Sequence, residues 1–111
     1  MGKRYLKNRL KRFLSLTGFI PLETTMYYIY VIQSKKNNYW YTGYTADLRK
    51  RFKEHNGNKC GFTKGRGPFE LIYYEACLNQ QDATSREKYL KSGMGKRYLK
   101  NRLKRFLSLT G

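Results

Sequence analysis

The sequence predicts an α+β fold in which a small three-stranded antiparallel sheet is flanked by helices, with an extra amphipathic helix at the N-terminus. Three observations support this fold class. Two short runs rich in aromatic and β-branched residues are separated by turn formers, a third such run follows, and the remaining segments carry apolar residues at helical spacing. A chain of 111 residues can form one hydrophobic core. We therefore expect one domain over residues 26–111, preceded over residues 1–25 by the extra helix and a linker.

The extra helix is predicted by a repeat, because the same segment, "MGKRYLKNRLKRFLSLTG", occupies residues 1–18 and 94–111. In the first copy basic residues surround an apolar stripe at helical spacing, formed by Leu6, Leu10, Phe13 and Leu14. The second copy predicts a last helix from about Lys96 to Leu109. The first copy must bury the same stripe, so we expect it to pack on a neighbouring molecule, in a swapped arrangement, or in the groove of residues 94–111. A homodimer formed through this helix is one such arrangement.

The aromatic runs predict the sheet. "YYIYVIQS" over Tyr27–Ser34 and "YWYTGYT" over Tyr39–Thr45 flank the turn formers "KKNN", which predicts a β-hairpin with antiparallel pairing. "FELIYYEAC" over Phe69–Cys77 alternates well enough for a third strand. Alternation along the first strand puts Tyr28 and Tyr30 on one face, where they either fill the core or present their phenols together.

Two further helices are predicted, one after the hairpin and one after the third strand. Thr45 is suited to cap a helix from Ala46 to about Asn56. The glycine-rich stretch that follows, residues 56–68, predicts a loop. Asn79 is suited to cap a helix from Gln80 to Lys91, ended by the Ser-Gly pair after it.

The charge of the chain indicates a polyanionic partner. Twenty-four Lys and Arg residues oppose seven Asp and Glu residues, which gives a formal net charge of +17. Such an excess on a small domain is typical of nucleic-acid binding, because each neutralised phosphate releases counterions. The two cysteines lack metal-site spacing, and no apolar run reaches the length of a membrane span. We expect a cytoplasmic protein with reduced thiols that binds DNA, or RNA, and no membrane.

A few polar residues are candidates for chemistry. Arg51 and His55 lie four residues apart, on one face of their predicted helix, and His55 is the one histidine of the chain. A guanidinium suits phosphate oxygens and an imidazole can carry protons, although both residue types are also common on plain surfaces. Glu87 either pairs with basic neighbours or, with water and substrate phosphate, holds Mg²⁺. Contacts to a nucleic-acid backbone are expected from Lys50, Lys59, Lys64 and Arg66.

From Tyr27 to about Leu107 the chain resembles the GIY-YIG endonuclease superfamily, and most of all its small bacterial members related to the nuclease module of the excision-repair protein UvrC. The "GIY" element corresponds to Tyr28-Ile29-Tyr30 and the "YIG" element to Tyr41-Thr42-Gly43. "GYTADLRKRFKEHN", "FTKGRGPFELIYYE" and "SREKYLKSG" follow in the order of the family's later blocks. The chain departs from the motif names at Tyr28, which stands for glycine, and at Thr42, which stands for isoleucine.

The resemblance implies roles for particular residues. Tyr30 and Tyr41 would be the motif tyrosines, one of which helps to deprotonate the attacking water. Arg51 would steady the phosphate charge, and His55 would lie near the phosphate. Glu87 would bind one Mg²⁺ or Mn²⁺ ion. Which tyrosine or histidine acts as the general base stays open at this stage.

The resemblance implies a metal-dependent endonuclease that hydrolyses phosphodiester bonds in DNA and selects DNA by its structure, since no sequence-reading helix is evident. The alternative is a nucleic-acid-binding module that keeps the fold for its basic surface and has little or no catalytic activity. A third hypothesis, a membrane-active basic protein, follows from the amphipathic repeat, but the ordered motifs argue against it.

Overall fold

The computed structural model describes residues 25–59, 61 and 63–110. The predicted N-terminal helix and its packing on a neighbour, as a homodimer or otherwise, fall on residues that lie outside this described part. The described elements, in chain order, are β1 (Tyr27–Ser34), β2 (Trp40–Thr45), α1 (Leu48–Asn56), β3 (Phe69–Cys77), α2 (Gln80–Lys91), α3 (Gly93–Arg102) and α4 (Lys104–Thr110). None of these four helices is long and apolar enough to cross a lipid bilayer.

The three strands form one antiparallel sheet in the order β2-β1-β3, which confirms the predicted α+β fold. The hairpin turn passes through Asn38 at φ 63°, a left-handed conformation that asparagine tolerates better than most residues. Tyr30, on the central strand, pairs with Gly43 on β2 and with Tyr74 on β3. The central position of β1 therefore fixes Tyr30 from both sides.

Helices cover both faces of the sheet, because alternate residues of β1 point in opposite directions. On one face Ile29 and Val31 are buried together with helix residues of α2 and α3, namely Ala83, Leu90 and Leu99. On the other face Tyr30 and Ile32 are buried with Phe69, and Leu48 and Phe52 of α1 pack against them. The sheet thus separates α1 from the α2–α3 pair.

Helix α1 begins later than the sequence predicted. Its N-cap is Asp47, whose carboxylate accepts a hydrogen bond from the Lys50 amide at 3.1 Å. Thr45 is not the cap, because it is the last residue of β2 and its hydroxyl accepts from the Asp47 amide at 3.0 Å. The helix therefore starts at Leu48 rather than at Ala46. Asn79 caps α2 as predicted, accepting from the amides of Gln81 and Asp82.

A single residue, Ser92, joins α2 to α3. Its hydroxyl donates to the Tyr89 carbonyl at 2.6 Å and accepts from the Gly95 amide at 3.2 Å, so one side chain ends one helix and begins the next. Residue 95 has to be glycine here, since a Cβ would meet the Tyr89 carbonyl and lie 2.5 Å from Leu90 Cα.

The C-terminal repeat copy forms two helices rather than the one predicted from Lys96 to Leu109. The first starts earlier than expected, at Gly93, and Leu103 interrupts the run between α3 and α4. The predicted apolar stripe of this copy does face the domain, since Leu99 is buried in the core and Leu103, Phe106 and Leu107 are half-buried.

Candidate active site

A cleft of about 570 Å³ lies at the β2 edge of the sheet and opens to both faces. Strand β2 forms its floor, α1 forms one wall, and α2 and α3 form the other. All five residues predicted to be catalytic line this one cleft: Tyr30, Tyr41, Arg51, His55 and Glu87. The fold therefore collects phenol, guanidinium, imidazole and carboxylate groups around one space.

Tyr30 is held in the cleft by close packing over Gly43. A Cβ on residue 43 would lie 2.5 Å from Tyr30 Oη and 2.7 Å from Cζ, so the ring crosses the strand only because glycine leaves room for it. The residue is 3% exposed, which leaves the ring little freedom to shift. The glycine of the second motif thus has a steric role in placing the tyrosine of the first.

A buried chain of hydrogen bonds runs from Tyr30 through His55 to Thr63. Tyr30 Oη lies 2.8 Å from His55 Nε2, and His55 Nδ1 lies 2.7 Å from Thr63 Oγ1. A neutral imidazole has one N–H and one bare nitrogen, so one of these bonds is donated by the ring and the other is accepted. Phe69 contributes an edge-on ring contact to His55 at 6.0 Å between centroids.

The pKa of His55 lies below its ordinary value of 6.5, mainly because burial disfavours the charged imidazolium. The positive charge of Arg51 lowers this pKa further, and the negative charge of Glu54 opposes the shift. At pH 7 the imidazole is therefore neutral and can accept a proton.

Thr63 ties the glycine-rich loop to the cleft. Its side chain is 2% exposed, although its neighbours Lys64 and Arg66 are exposed. The loop is also fixed to the end of β1, where the Ser34 hydroxyl donates to the Arg66 carbonyl at 2.6 Å. The loop is thus anchored at its buried residue and presents its basic side chains outward.

Arg51 stands on the α1 wall, one turn before His55. Its guanidinium forms an ion pair with Glu54 at 3.3 Å, and its side chain is 45% exposed. An exposed pair of this kind is weak, so a phosphate entering the cleft can compete for the guanidinium.

Glu87 projects from the opposite wall. Its carboxylate lies 3.3 Å from Lys91 Nζ, and its side chain is 20% exposed. Within the described residues, no three His, Cys, Asp or Glu side chains gather as a metal-ligand cluster. A divalent cation here would take Glu87 as its protein ligand and complete its shell with water and substrate oxygens, a donor set that suits Mg²⁺.

Tyr41 lines the cleft beside Tyr30 and packs edge-on against Phe69, with ring centroids 5.5 Å apart. The other strand tyrosine predicted on the Tyr30 face, Tyr28, turns instead to Tyr74, at a centroid distance of 5.9 Å. Of the two tyrosines predicted to share a face, only Tyr30 therefore lines the cleft.

The four residues predicted to contact a nucleic-acid backbone are exposed and lie outside the cleft lining; they are Lys50, Lys59, Lys64 and Arg66. Lys50 and Lys59 share a shallow depression along α1. The cleft itself contains two lysines that the sequence analysis did not select, Lys91 and Lys96. Sequence alone marks them only as two of many lysines, because their placement depends on the corner at Ser92.

A second polar cluster fixes the orientation of α2. The Arg86 guanidinium donates from Nε and Nη2 to the two oxygens of Glu75 on β3, both at 2.9 Å. It also lies over the rings of Tyr89 and Tyr98, 5.2 and 4.9 Å from their centroids. These hydrogen bonds hold the pKa of Glu75 below its ordinary value. The cluster holds α2, the helix that also carries Glu87, against β3.

The sequence model of the GIY-YIG catalytic domain family matches residues 26–104 of the chain. The chain belongs to the GIY-YIG family. The resemblance inferred from the motifs is confirmed, and both motif strands of this GIY-YIG domain lie side by side in the sheet, with Tyr30 opposite Gly43.

Several relatives of this GIY-YIG domain are named UPF0213 proteins. One from Clostridium perfringens is 47% identical over 68 residues, which cover 60% of this chain and 71% of that protein. The UPF0213 protein YazA of Bacillus subtilis is 44% identical over 71 residues, covering 63% and 71% of the two chains. A solution NMR structure of a UPF0213 protein from Bacillus halodurans is 36% identical and covers 67% of this chain and 81% of that one, with a TM-score of 0.43.

Proposed function

We propose that this GIY-YIG domain is a cytoplasmic, divalent-metal-dependent endonuclease that hydrolyses phosphodiester bonds in DNA and selects its substrate by structure. One observation carries the proposal: the five side chains with the required chemistry line a single cleft at the edge of the sheet. The large positive charge supports a nucleic-acid substrate, and family membership supports phosphodiester hydrolysis.

The proton acceptor for the attacking water is the pair formed by Tyr30 and His55. A phenol with an ordinary pKa near 10 keeps its proton at neutral pH and is a very weak base, whereas a neutral imidazole is a stronger proton acceptor even where burial lowers its pKa. In our mechanism the water gives its proton to Tyr30 Oη while the phenol proton passes to His55 Nε2. Tyr30 stays neutral and His55 becomes an imidazolium.

This direction of transfer requires that Nε2 be the bare nitrogen of His55. The N–H is then on Nδ1 and donates to Thr63 Oγ1, which lies 2.7 Å away. Thr63 therefore acts as a positioning residue, because its hydroxyl stabilises the tautomer that can accept the proton from Tyr30.

The remaining residues stabilise the phosphate. The water oxygen bonds to phosphorus, the bond to the leaving oxygen breaks, and that oxygen takes up a proton from solvent. Arg51 donates hydrogen bonds to the phosphate as negative charge grows on its oxygens. A cation held by Glu87 would supply positive charge at the phosphate and at the leaving oxygen. Tyr41 bounds the cleft beside Tyr30 and restricts where the water can stand.

The basic residues outside the cleft extend the contact with the polymer. In this proposal phosphates away from the reacting centre are bound by Lys50 on α1, by Lys59 just after that helix, and by Lys64 and Arg66 on the anchored loop. They are exposed, so each contributes to affinity chiefly through counterion release.

The proposal is tested by cleavage of branched, single-stranded and duplex DNA, and of RNA, with Mg²⁺ or Mn²⁺. We expect wild type to nick at least one DNA substrate, and Glu87→Gln to lower the rate by about 10²-fold or more. Glu70→Gln is the matched control, because Glu70 is exposed on β3 and outside the cleft lining.

The alternatives give other results. Binding of DNA by wild type without cleavage of any substrate would favour the nucleic-acid-binding module. Cleavage by Glu87→Gln at the wild-type rate would remove Glu87 from the mechanism.

A further inference from the structure

The cleft contains two cations, Lys91 and Lys96, that the catalytic roles above do not use. Its charged lining residues are three bases and one acid: Arg51, Lys91, Lys96 and Glu87. Arg51 and the two lysines stand on opposite walls, because α1 covers one face of the sheet and the α2–α3 pair covers the other. Positive charge therefore flanks the β2 edge from both sides.

Lys96 is the most available of these cations. Among the described residues no carboxylate forms an ion pair with it, whereas Lys91 is paired with Glu87 and Arg51 with Glu54. Its side chain reaches the cleft from the first turn of α3, where its amide donates to the Ser92 carbonyl at 2.9 Å. Within the described part of the chain the ammonium is therefore solvated and available to an anionic ligand.

The position of Lys96 is set by the main chain. Gly95 is buried against the backbone of Tyr89 and Leu90, which brings the first turn of α3 onto the end of α2. Lys96 thus lies on the same wall of the cleft as Lys91, in a place that backbone contacts determine.

We propose that Lys96, with Lys91, forms a second phosphate-binding position in the cleft, so that the substrate backbone crosses the β2 edge from Arg51 to the α2–α3 corner. This inference rests on the proposed function for the identity of the polymer, a nucleic acid. It assigns the scissile phosphate to the region of Arg51 and Glu87 and an adjacent phosphate to Lys96. Lys91, which is paired with Glu87 in this structure, would be free to contact the same phosphate if Glu87 held a cation.

Binding in the absence of cleavage tests this position separately from catalysis. Glu87→Gln protein without divalent metal would be titrated with labelled oligonucleotides by fluorescence anisotropy over a range of salt concentrations. In this background Lys91 has lost its carboxylate partner, so Lys91→Ala reports on phosphate binding alone. Lys88→Ala is the matched control, because Lys88 is exposed on α2 and does not line the cleft.

We expect Lys96→Ala to weaken binding about tenfold. The slope of log K against log salt should become shallower by about one. Lys96→Arg should restore both quantities, and Lys88→Ala should change each by less than half as much. Equal effects of Lys96→Ala and Lys88→Ala would overturn the proposal, since they would mean that only overall charge matters. Wild type could cleave no substrate while Lys96→Ala still shows these effects on binding. In that case the nuclease hypothesis fails and the phosphate-binding position stands.

Discussion

Tyr30 Oη and His55 Nε2 lie 2.8 Å apart, although the two residues are separated by 25 positions in the sequence. The bond connects the central strand to α1 and is buried beneath the cleft. A surface phenol exchanges its proton with water, whereas this one has a neutral base as its immediate neighbour. In the proposed mechanism the reactivity of Tyr30 therefore depends on His55.

Replacement of His55 tests that dependence. His55→Gln can still form a hydrogen bond with Tyr30 but has no basic nitrogen, so we expect the cleavage rate to fall about 10²- to 10⁴-fold at pH 7. In wild type the rate should decline in acid only below the lowered pKa of His55, which lies under 6.5. The variant should lack that acidic limb. A pH–rate profile of both proteins is the measurement, and an unchanged limb in His55→Gln would contradict the assignment.

The hydroxyl of Thr63 should control the tautomer of His55. Thr63→Val keeps the size of the side chain but removes the oxygen that accepts from Nδ1, and we expect the rate to fall on the order of 10- to 100-fold. Thr63→Ser keeps the oxygen and should stay close to wild type. The ¹⁵N chemical shifts of the imidazole report the tautomer directly. If Nδ1 carries no proton in wild type, Thr63 does not have this role.

Gly43→Ala should displace the ring of Tyr30. The new methyl would overlap the phenol, and a buried ring has no room to retreat, so we expect a loss of about 1–3 kcal/mol in the free energy of unfolding. The Tyr30–His55 bond should lengthen and cleavage should fall with it. Chemical denaturation and a crystal structure of the variant would check both effects. A variant as stable and as active as wild type would show that the strand yields instead.

The burial of neutral His55 makes folding stability depend on pH. Its pKa is lower in the folded state than in the unfolded chain, so its contribution is complete above about pH 6.5 and is lost as the pH falls through the folded pKa. Glu75 acts in a separate window, because its own lowered pKa matters only below about pH 4.5. Urea titrations between pH 7 and pH 5 should show falling stability in wild type and a weaker slope in His55→Gln. Parallel slopes would rule out His55 as the source.

Two glycines at the N-terminus of α3 should respond differently to replacement by alanine. Gly95→Ala forces a methyl into the backbone of α2 and should destabilise the fold by about 1–3 kcal/mol. Gly93→Ala meets no atom within 4 Å among the described residues, and should leave stability unchanged or raise it by up to about 1 kcal/mol. Thermal and urea unfolding of the pair measure the difference. If the two variants had similar free energies of unfolding, α3 would have to be able to shift on α2 to make room for the methyl group.

Sequence periodicity and turn chemistry were sufficient for the sheet and for α2. The aromatic runs stand out because strand residues alternate, and Asn79 is a strong local cap signal. Thr45 was mistaken for a cap because Thr and Asp both accept from backbone amides, and only the end of β2 decides between Thr45 and Asp47. The break at Leu103 carries no glycine or proline, so nothing in the local sequence announces it.

The candidate site was predictable where motifs mark it and unpredictable where only packing creates it. Tyr30 and Glu87 belong to recognisable blocks of the sequence. Thr63 lies in a loop, and its contact with His55 exists only once the loop folds back on α1. Lys96 is distinguished from its basic neighbours solely by the corner at Ser92.

The one-residue corner at Ser92 limits where the chain can accept an insertion. Ser92 is hydrogen-bonded to both helices, and Gly95 packs against the backbone at the end of α2. The cleft wall that carries Glu87 and Lys96 is therefore one fixed unit. An insertion at this corner would alter the spacing between Glu87 and Lys96 and with it the shape of the cleft. The loop after α1 is constrained as well, since Thr63 is hydrogen-bonded to His55 and the Arg66 carbonyl accepts from Ser34 on β1. A change of chain length in either segment would therefore shift side chains that line the cleft.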